Sequence, residues 1–223
     1  PNDYEKKIFL EFCDESKIAV IPNGINLDII NSLNFDFKKK YNVDSDFILF
    51  IGRFSKIKGL DTLIESINLL KDTIESKNIK LIIMGVEFGF ELEMLDMIEK
   101  LNLKNIVKVI KNPPRVDVIQ AYRECKFLVY PSRWELSPLT PLEAFAFKKT
   151  VISTTAHGIP FTIDHNRNCI LVEPDNPNSL SQSILNLIND EKKCAELGNS
   201  GHKLVLETCN SEQMAKNTLN MYE

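Results

Sequence analysis

The sequence lacks several features that define common classes of protein. Its 223 residues carry 27 lysines and arginines against 31 aspartates and glutamates, so no excess of positive charge is available to attract nucleic acid or an anionic membrane. No apolar run approaches the roughly 18 residues of a membrane-spanning helix, and no signal peptide is visible. Any binding of phosphate must therefore come from a few well-placed residues.

Residues that bind metals are also sparse. The five cysteines are odd in number and widely spaced, without a CxxC pair, which argues against a disulfide framework or a zinc site and favours a reducing cytoplasm. Cys125 and Cys169 adjoin apolar runs and are predicted to be small buried side chains. His157 and His165 have no second ligand at metal spacing, and Asp44–Asp46 (DSD) precedes a strand, as a turn would. We predict no metal and no cofactor.

Six short apolar runs indicate the fold. They are almost continuously apolar, as strands buried on both faces must be, and they are Phe47–Gly52, Lys80–Gly85, Ile106–Ile110, Phe127–Ser132, Thr150–Ser153 and Cys169–Val172. Helical periodicity separates several of them, over residues 60–70, 91–101 and 116–122. This alternation predicts an α/β fold, a Rossmann-like doubly wound parallel sheet.

The two ends of the chain differ from this pattern. Residues 1–26 are predicted to be a linker and domain entry, with a helix over Asp3–Phe12 and a strand over Lys17–Ile21. Residues 27–223 are predicted to form one domain, which begins with an irregular connection up to residue 46. A helical tail is expected from about residue 177, over Pro177–Asn189, Glu191–Glu207 and Ser211–Tyr222.

Two cations follow the first predicted strand. In sheets of this class ligands bind beyond the carboxyl ends of the strands, and Arg53 and Lys58 flank the loop that leads into the next helix. The free N–H groups of a helix N-terminus favour an anion, and the two side chains can neutralise a diphosphate without a metal. The alternative is that both are solvated loop cations, and local chemistry leaves the two interpretations open.

Two glutamates follow the fourth predicted strand. Thr140, Pro141 and Glu143 fit a capping box, in which Glu143 reaches back to the N–H of Thr140. Alternatively, a carboxylate at this helix N-terminus can accept the two vicinal hydroxyls of a ribose. Glu135 lies on the preceding loop, where it can face the sugar of a donor or simply be solvated.

Taken together, these segments resemble family 4 of the GT-B glycosyltransferases, specifically the C-terminal, donor-binding domain. The match runs from about Ile18 to Tyr222. It is carried by the order and spacing of Val20–Ile25 (VIPNGI), Phe50–Arg53 (FIGR), Lys58–Leu63 (KGLDTL), Tyr130–Ser132 (YPS), the E-x7-E pair Glu135 and Glu143, and Gly158–Pro160 (GIP).

The resemblance implies roles for individual residues. Arg53 and Lys58 would hold the donor diphosphate, Glu143 would bind the ribose, and Glu135 would lie near the donor sugar and the reacting centre; Arg53, Lys58 and Glu135 are thus the predicted catalytic residues. The backbone of the loop would complete the phosphate cradle and the chain after the third strand would hold the nucleobase, which adds Leu136, Ser137, Pro138, Leu139 and Thr140, and Asn112 and Pro113.

The resemblance also implies a whole enzyme. It would transfer a hexose-type sugar from a UDP-, GDP- or ADP-linked donor to a hydroxyl, with retention and without a metal. An N-terminal domain would bind the acceptor, so this chain is expected to be an excised domain that transfers little alone. The predicted location is the cytoplasm, with peripheral contact to the inner face of the membrane through the missing domain left open.

Two other classes of function are weighed against the enzyme. A non-catalytic nucleotide-binding or partner-docking module is the second hypothesis, and the presence of both cations and both glutamates argues against it. A Rossmann dehydrogenase is the third, and the absence of GxGxxG after the first strand argues against it.

Overall fold

The computed structural model describes residues 2–31 and 35–222 and contains one parallel sheet. Its strand order is β3-β2-β1-β4-β5-β6 and every pairing is parallel, which confirms the doubly wound sheet. The strands are β1 Asp46–Phe54, β2 Ile79–Glu87, β3 Val107–Lys111, β4 Leu128–Tyr130, β5 Val151–Thr154 and β6 Cys169–Val172.

Helices cover both faces of the sheet. Within the described residues the α-helices are α1 Asp3–Phe9, α2 Phe37–Lys40, α3 Leu60–Leu69, α4 Lys71–Ser76, α5 Glu91–Lys100, α6 Arg115–Glu124, α7 Leu139–Ala146, α8 Pro177–Asn189, α9 Glu191–Glu207 and α10 Ser211–Leu219. None of these helices is long and apolar enough to cross a membrane.

The continuous apolar runs follow from two cores, one on each face. In β1, Ile48 and Phe50 point into the core under α3 and α8, while Phe47 and Leu49 point into the core under α6 and α7. Successive side chains of a strand alternate between faces, so a strand covered on both sides must be apolar at every position. Cys125 and Cys169 are buried, as predicted.

The predictions for the two ends of the chain were partly wrong. Lys17–Ile21 forms no strand: Ile18 has extended backbone angles, φ −117° and ψ 121°, but pairs with no described strand. The connection from residue 27 to 46 contains a short 3-10 helix, Leu27–Asn31, and α2; residues 32–34 of it lie outside the described residues. Helix α1 ends at Phe9 rather than Phe12, and α10 ends at Leu219 rather than Tyr222.

Candidate functional site

The candidate site lies where the chain reverses its direction of winding across the sheet. Strands β1 and β4 are neighbours in the sheet, yet β2 and β3 lie to one side and β5 and β6 to the other. The connections from β1 and from β4 therefore leave in opposite directions and open a crevice at the carboxyl edge, which is where such sheets bind ligands. Of the predicted site residues, Arg53 lies near the end of β1, and Lys58 and Glu135 lie on these two connections.

The two connections are held together by backbone contacts. Gly59, in left-handed conformation at φ 67°, lets the end of the first loop approach β4; a Cβ there would lie 2.0 Å from the carbonyl oxygen of Pro131. The N–H of Arg133 donates to the carbonyl of Ile57 at 2.7 Å, and the hydroxyl oxygen of Ser132 lies 3.1 Å from the same carbonyl oxygen. The loop carrying Lys58 and the loop carrying Glu135 thus form one unit.

Lys58 and Glu135 form a buried ion pair at the centre of this unit. Their side chains are only 11% and 14% exposed. The ammonium of Lys58 also donates to the hydroxyl of Tyr130 at 2.8 Å, and Glu135 Oε1 accepts from the hydroxyls of Tyr130 at 2.5 Å and Ser132 at 3.0 Å. Lys58 is therefore not a solvated loop cation, and Glu135 is not a solvated surface glutamate.

Tyr130 joins this ion pair to the neighbouring groups. Burial raises the pKa of its hydroxyl well above the ordinary value, and the negative charge of Glu135 acts in the same direction. A hydrogen bond from the Thr140 side chain and the positive charge of Arg53 both lower that pKa. Tyr130 thus remains a neutral hydroxyl that accepts a hydrogen bond from Lys58 and donates one to Glu135.

Arg53 is the exposed member of the set. It lies near the end of β1, and its guanidinium stacks over the ring of Phe88 at 4.5 Å from the ring centroid. No described carboxylate forms an ion pair with it. A planar guanidinium held by an aromatic ring and free of an acidic partner is well suited to a phosphate.

Glu143 faces the same crevice from α7, but not as a cap. Its carboxylate accepts two hydrogen bonds from Arg115, at 2.6 and 3.2 Å, and one from the hydroxyl of Tyr122 at 3.0 Å. Of the two alternatives for Glu143, the capping box does not form: α7 begins at Leu139, so Thr140 already lies inside the helix, and Pro138 at the N-cap position has no side-chain acceptor. Glu143 therefore projects from the first turns of α7 toward α6.

The backbone of the predicted phosphate cradle has free donors. Among the described residues, none accepts from the N–H groups of Leu136, Ser137, Leu139 or Thr140. Pro138 contributes no N–H. These donors lie at the uncapped N-terminus of α7, where the helix dipole favours an anion.

The predicted nucleobase region also reaches this edge. Asn112 follows β3 with φ 49°, and its N–H donates to the carbonyl of Gly85 at 2.7 Å. Asn112 and Pro113 lie three and two residues before Arg115, whose guanidinium contacts Glu143. This segment therefore directly precedes the residue that binds the predicted ribose carboxylate.

Sequence reasoning missed three contacts of the site. The sequence analysis assigns no role to Tyr130, Tyr122 or Arg115. These side chains nevertheless supply hydrogen bonds that fix Glu135 and Glu143. A tyrosine as the last residue of a buried strand was a usable signal, because its hydroxyl must find a partner when the ring is buried. The pairing of Arg115 with Glu143 spans 28 residues and has no local signal.

Other candidates for chemistry are unsupported. No group of three or more histidine, cysteine, aspartate or glutamate side chains able to hold a metal occurs among the described residues. A groove of about 940 Å³ lies at the opposite, amino edge of the sheet, beside Lys80 and Lys108, away from the carboxyl edge that carries the site.

Comparisons with known proteins agree with this picture. Residues 32–204 match the model of the family described as glycosyl transferases group 1. An uncharacterized glycosyltransferase of Methanocaldococcus jannaschii is 34% identical over 195 residues, covering 84% of this chain and 48% of that protein. The chain spans about half the length of the curated relatives it matches.

Solved structures show the same fold. The crystal structure of a glycosyltransferase from Rickettsia africae superposes with a TM-score of 0.89 at 25% identity, over 99% of this chain and 61% of that one. The structure of Anabaena HepE in complex with UDP gives a TM-score of 0.88 at 20% identity, over 99% of this chain and 62% of that one. In both cases the chain corresponds to part of a larger protein.

Proposed function

Since the chain belongs to the glycosyl transferases group 1 family, we propose that it binds the nucleotide-sugar donor of a glycosyltransferase. The observation that carries this proposal is the convergence of Arg53, Lys58, Glu135 and Glu143 at one carboxyl edge, although they span ninety-one positions of the sequence. The group resembles the donor site of family 4 of the GT-B enzymes. Its chemistry divides into an anion-binding half and a hydroxyl-binding half.

The anion-binding half fits a diphosphate. Arg53, Lys58 and the free N–H groups at the start of α7 supply positive charge and directed donors on one side of the crevice. In the transfer reaction the diphosphate leaves with the electron pair of the broken glycosidic bond, and these groups would stabilise its developing charge in place of a metal. Arg53 and Lys58 would thus act in catalysis as well as in binding.

The hydroxyl-binding half fits a ribose. A carboxylate can accept hydrogen bonds from two vicinal hydroxyls, and Glu143 is fixed by Arg115 and Tyr122 in a position facing the crevice. The neighbouring Asn112 and Pro113 would lie beside the base. HepE, to which the chain is similar in fold, was solved with UDP and with UDP-glucose, which makes UDP the first nucleotide to test.

Several finer properties belong to the same proposal. A hexose-type donor sugar, retention of configuration at the anomeric carbon, and an acceptor hydroxyl bound by a separate N-terminal domain follow from the resemblance. Because this chain spans about half of its relatives, we propose residues 27–223 as the donor domain, with little transfer in isolation. Five free thiols support a cytoplasmic location.

Titration of the chain with UDP, GDP and ADP by calorimetry tests the proposal. At least one nucleotide should bind, and Lys58→Ala and Glu143→Ala should each abolish that binding while the thermal unfolding transition persists. Absence of binding for all three nucleotides would remove the basis for the donor site. Binding of NAD instead would favour a dehydrogenase, and nucleotide binding that survives both substitutions would place the site elsewhere.

A further inference from the structure

The side chain of Asn2 connects the N-terminal segment to the loop that carries Glu135. Its amide nitrogen donates to the carbonyls of Leu136 at 2.8 Å and Gly158 at 2.9 Å, and contacts the hydroxyl of Thr162 at 3.0 Å. Asn2 is 6% exposed. A polar side chain this buried needs all its hydrogen bonds, and here it finds them on two loops more than 130 residues away.

Two further residues of the same segment hold the next position of the loop. Glu5 accepts a hydrogen bond from the hydroxyl of Ser137 at 2.5 Å. Asn23 donates from its amide to the carbonyl of Ser137 at 3.0 Å. Ser137 is thus bound from both ends of the N-terminal segment, at its side chain and at its backbone.

The partner loop is built for this close approach. The N–H of Gly158 donates to the carbonyl of Glu135 at 2.9 Å. A Cβ at Gly158 would lie 1.7 Å from the carbonyl oxygen of Leu136, so only glycine allows the two loops to meet there. Asn2 bridges the two carbonyls that this contact brings together.

We propose that Asn2, Glu5 and Asn23 form a clasp that sets the position of the donor loop, residues 135–138. The clasp binds the carbonyls of Leu136 and Ser137 and the hydroxyl of Ser137, and it leaves the N–H groups of Leu136 and Ser137 without an acceptor among the described residues. Asn2, Glu5 and Asn23 are therefore positioning residues for the donor diphosphate. This inference rests on the proposed function for its consequence in binding, but not for the clasp itself.

Asn2→Ser separates the clasp from the other role of this residue. The Oδ1 atom of Asn2 also caps α1 by accepting from the N–H groups of Tyr4 and Glu5. Serine is as good an N-cap as asparagine, but it has no amide to bridge Leu136 and Gly158. Asn23→Ala provides a second variant that removes the clasp from its other end.

Asn210→Ser is the matched control. Asn210 also caps a helix, α10, and its amide donates to the carbonyls of Val205 and Leu206, outside the donor loop. Asn210→Ser therefore loses hydrogen bonds from a side-chain amide to backbone carbonyls and keeps a helix cap, as Asn2→Ser does. Both variants should show similar shifts in Tm.

The readouts are the exchange rate of the Gly158 amide, measured by NMR without ligand, and the Kd for UDP. We expect Asn2→Ser to accelerate Gly158 exchange about tenfold and to raise the Kd about tenfold, which corresponds to about 1.4 kcal/mol, with no such change in Asn210→Ser.

Equal exchange in both variants would refute the clasp. Faster exchange with an unchanged Kd would refute its role in positioning the donor. If the unsubstituted chain binds no nucleotide, the proposed function fails, while the exchange measurement still decides the clasp.

Discussion

Replacing Glu135 by glutamine should make the chain bind UDP more tightly. Without donor, the ammonium of Lys58 is paired with Glu135 inside a site where both side chains are almost buried. A diphosphate that binds to the ammonium of Lys58 must therefore also come close to the carboxylate of Glu135. The negative charge of that carboxylate repels the diphosphate. The Glu135→Gln substitution keeps the shape of the side chain and one acceptor oxygen for Tyr130 and Ser132, replaces the other oxygen by an NH2 group, and removes that negative charge.

The size of the effect follows from the repulsion that is relieved. Two unit charges about 4 Å apart interact by about 1 kcal/mol in water and by about 4 kcal/mol at an effective dielectric constant of about 20. With side chains 11% and 14% exposed, the site lies between these limits. We expect the Kd for UDP to fall at least about tenfold, or about 1.4 kcal/mol, and the gain to shrink at high salt.

Stability should change in the opposite direction. Removing one partner of a buried ion pair costs about 3 kcal/mol, so Glu135→Gln should lower the Tm by several degrees in the absence of UDP. Saturating UDP should then raise the Tm of the variant more than that of the unsubstituted chain, because a tighter ligand stabilises more.

Calorimetric titration at two salt concentrations is the assay, and Glu99→Gln is its control. Glu99 also pairs with a lysine, Lys104, but both side chains are more than 60% exposed, so this variant should bind UDP unchanged. If Glu135→Gln binds UDP equally or more weakly, the idea that Glu135 competes with the diphosphate for Lys58 is wrong.

Two further predictions concern stability. Gly158→Ala places a Cβ 1.7 Å from the carbonyl oxygen of Leu136 and should lower the free energy of unfolding by about 1–3 kcal/mol or more. Gly89→Ala is the control, because no atom lies within 4 Å of its Cβ, and it should cost only the strain of its positive φ. Equal losses of stability in the two variants would contradict the steric contact between residue 158 and Leu136. Burial and the hydrogen bond to Asp117 raise the pKa of Tyr41 to about 12, so the folded state holds this proton above pH 10 and the free energy of unfolding should fall as the pH rises from about 10 to about 12. Denaturant titrations should show a shallower fall for Tyr41→Phe, and identical pH slopes would exclude this linkage.

The fold was predictable because its signals are local. A strand buried on both faces must be apolar at every position, so runs such as Phe47–Gly52 could be read directly. Helix α8 begins at Pro177, as that proline predicts, and α9 spans Glu191–Glu207, as predicted. The resemblance then supplied the candidate site residues.

One wrong prediction and one rejected alternative share a physical cause. Lys17–Ile21 has strand-like residues, and Ile18 is extended, but a strand exists only when a neighbour supplies its hydrogen bonds. Thr140 and Glu143 have the spacing of a capping box, but α7 begins earlier and Glu143 binds Arg115 and Tyr122. In the first case no described strand pairs with the segment, and in the second the partners of Glu143 lie 21 and 28 residues away; neither fact can be read from the local sequence.

The sequence by itself determined the parallel sheet, most of its helices and the residue types available at its carboxyl edge, because apolar periodicity and helix signals act over a few neighbouring residues. Only the tertiary structure decided that Lys58 pairs with Glu135 and that Asn2 donates a hydrogen bond to Leu136, the residue after Glu135. These contacts join residues 77 and 134 positions apart. Which distant groups meet depends on how the whole chain packs, and short-range patterns do not specify this.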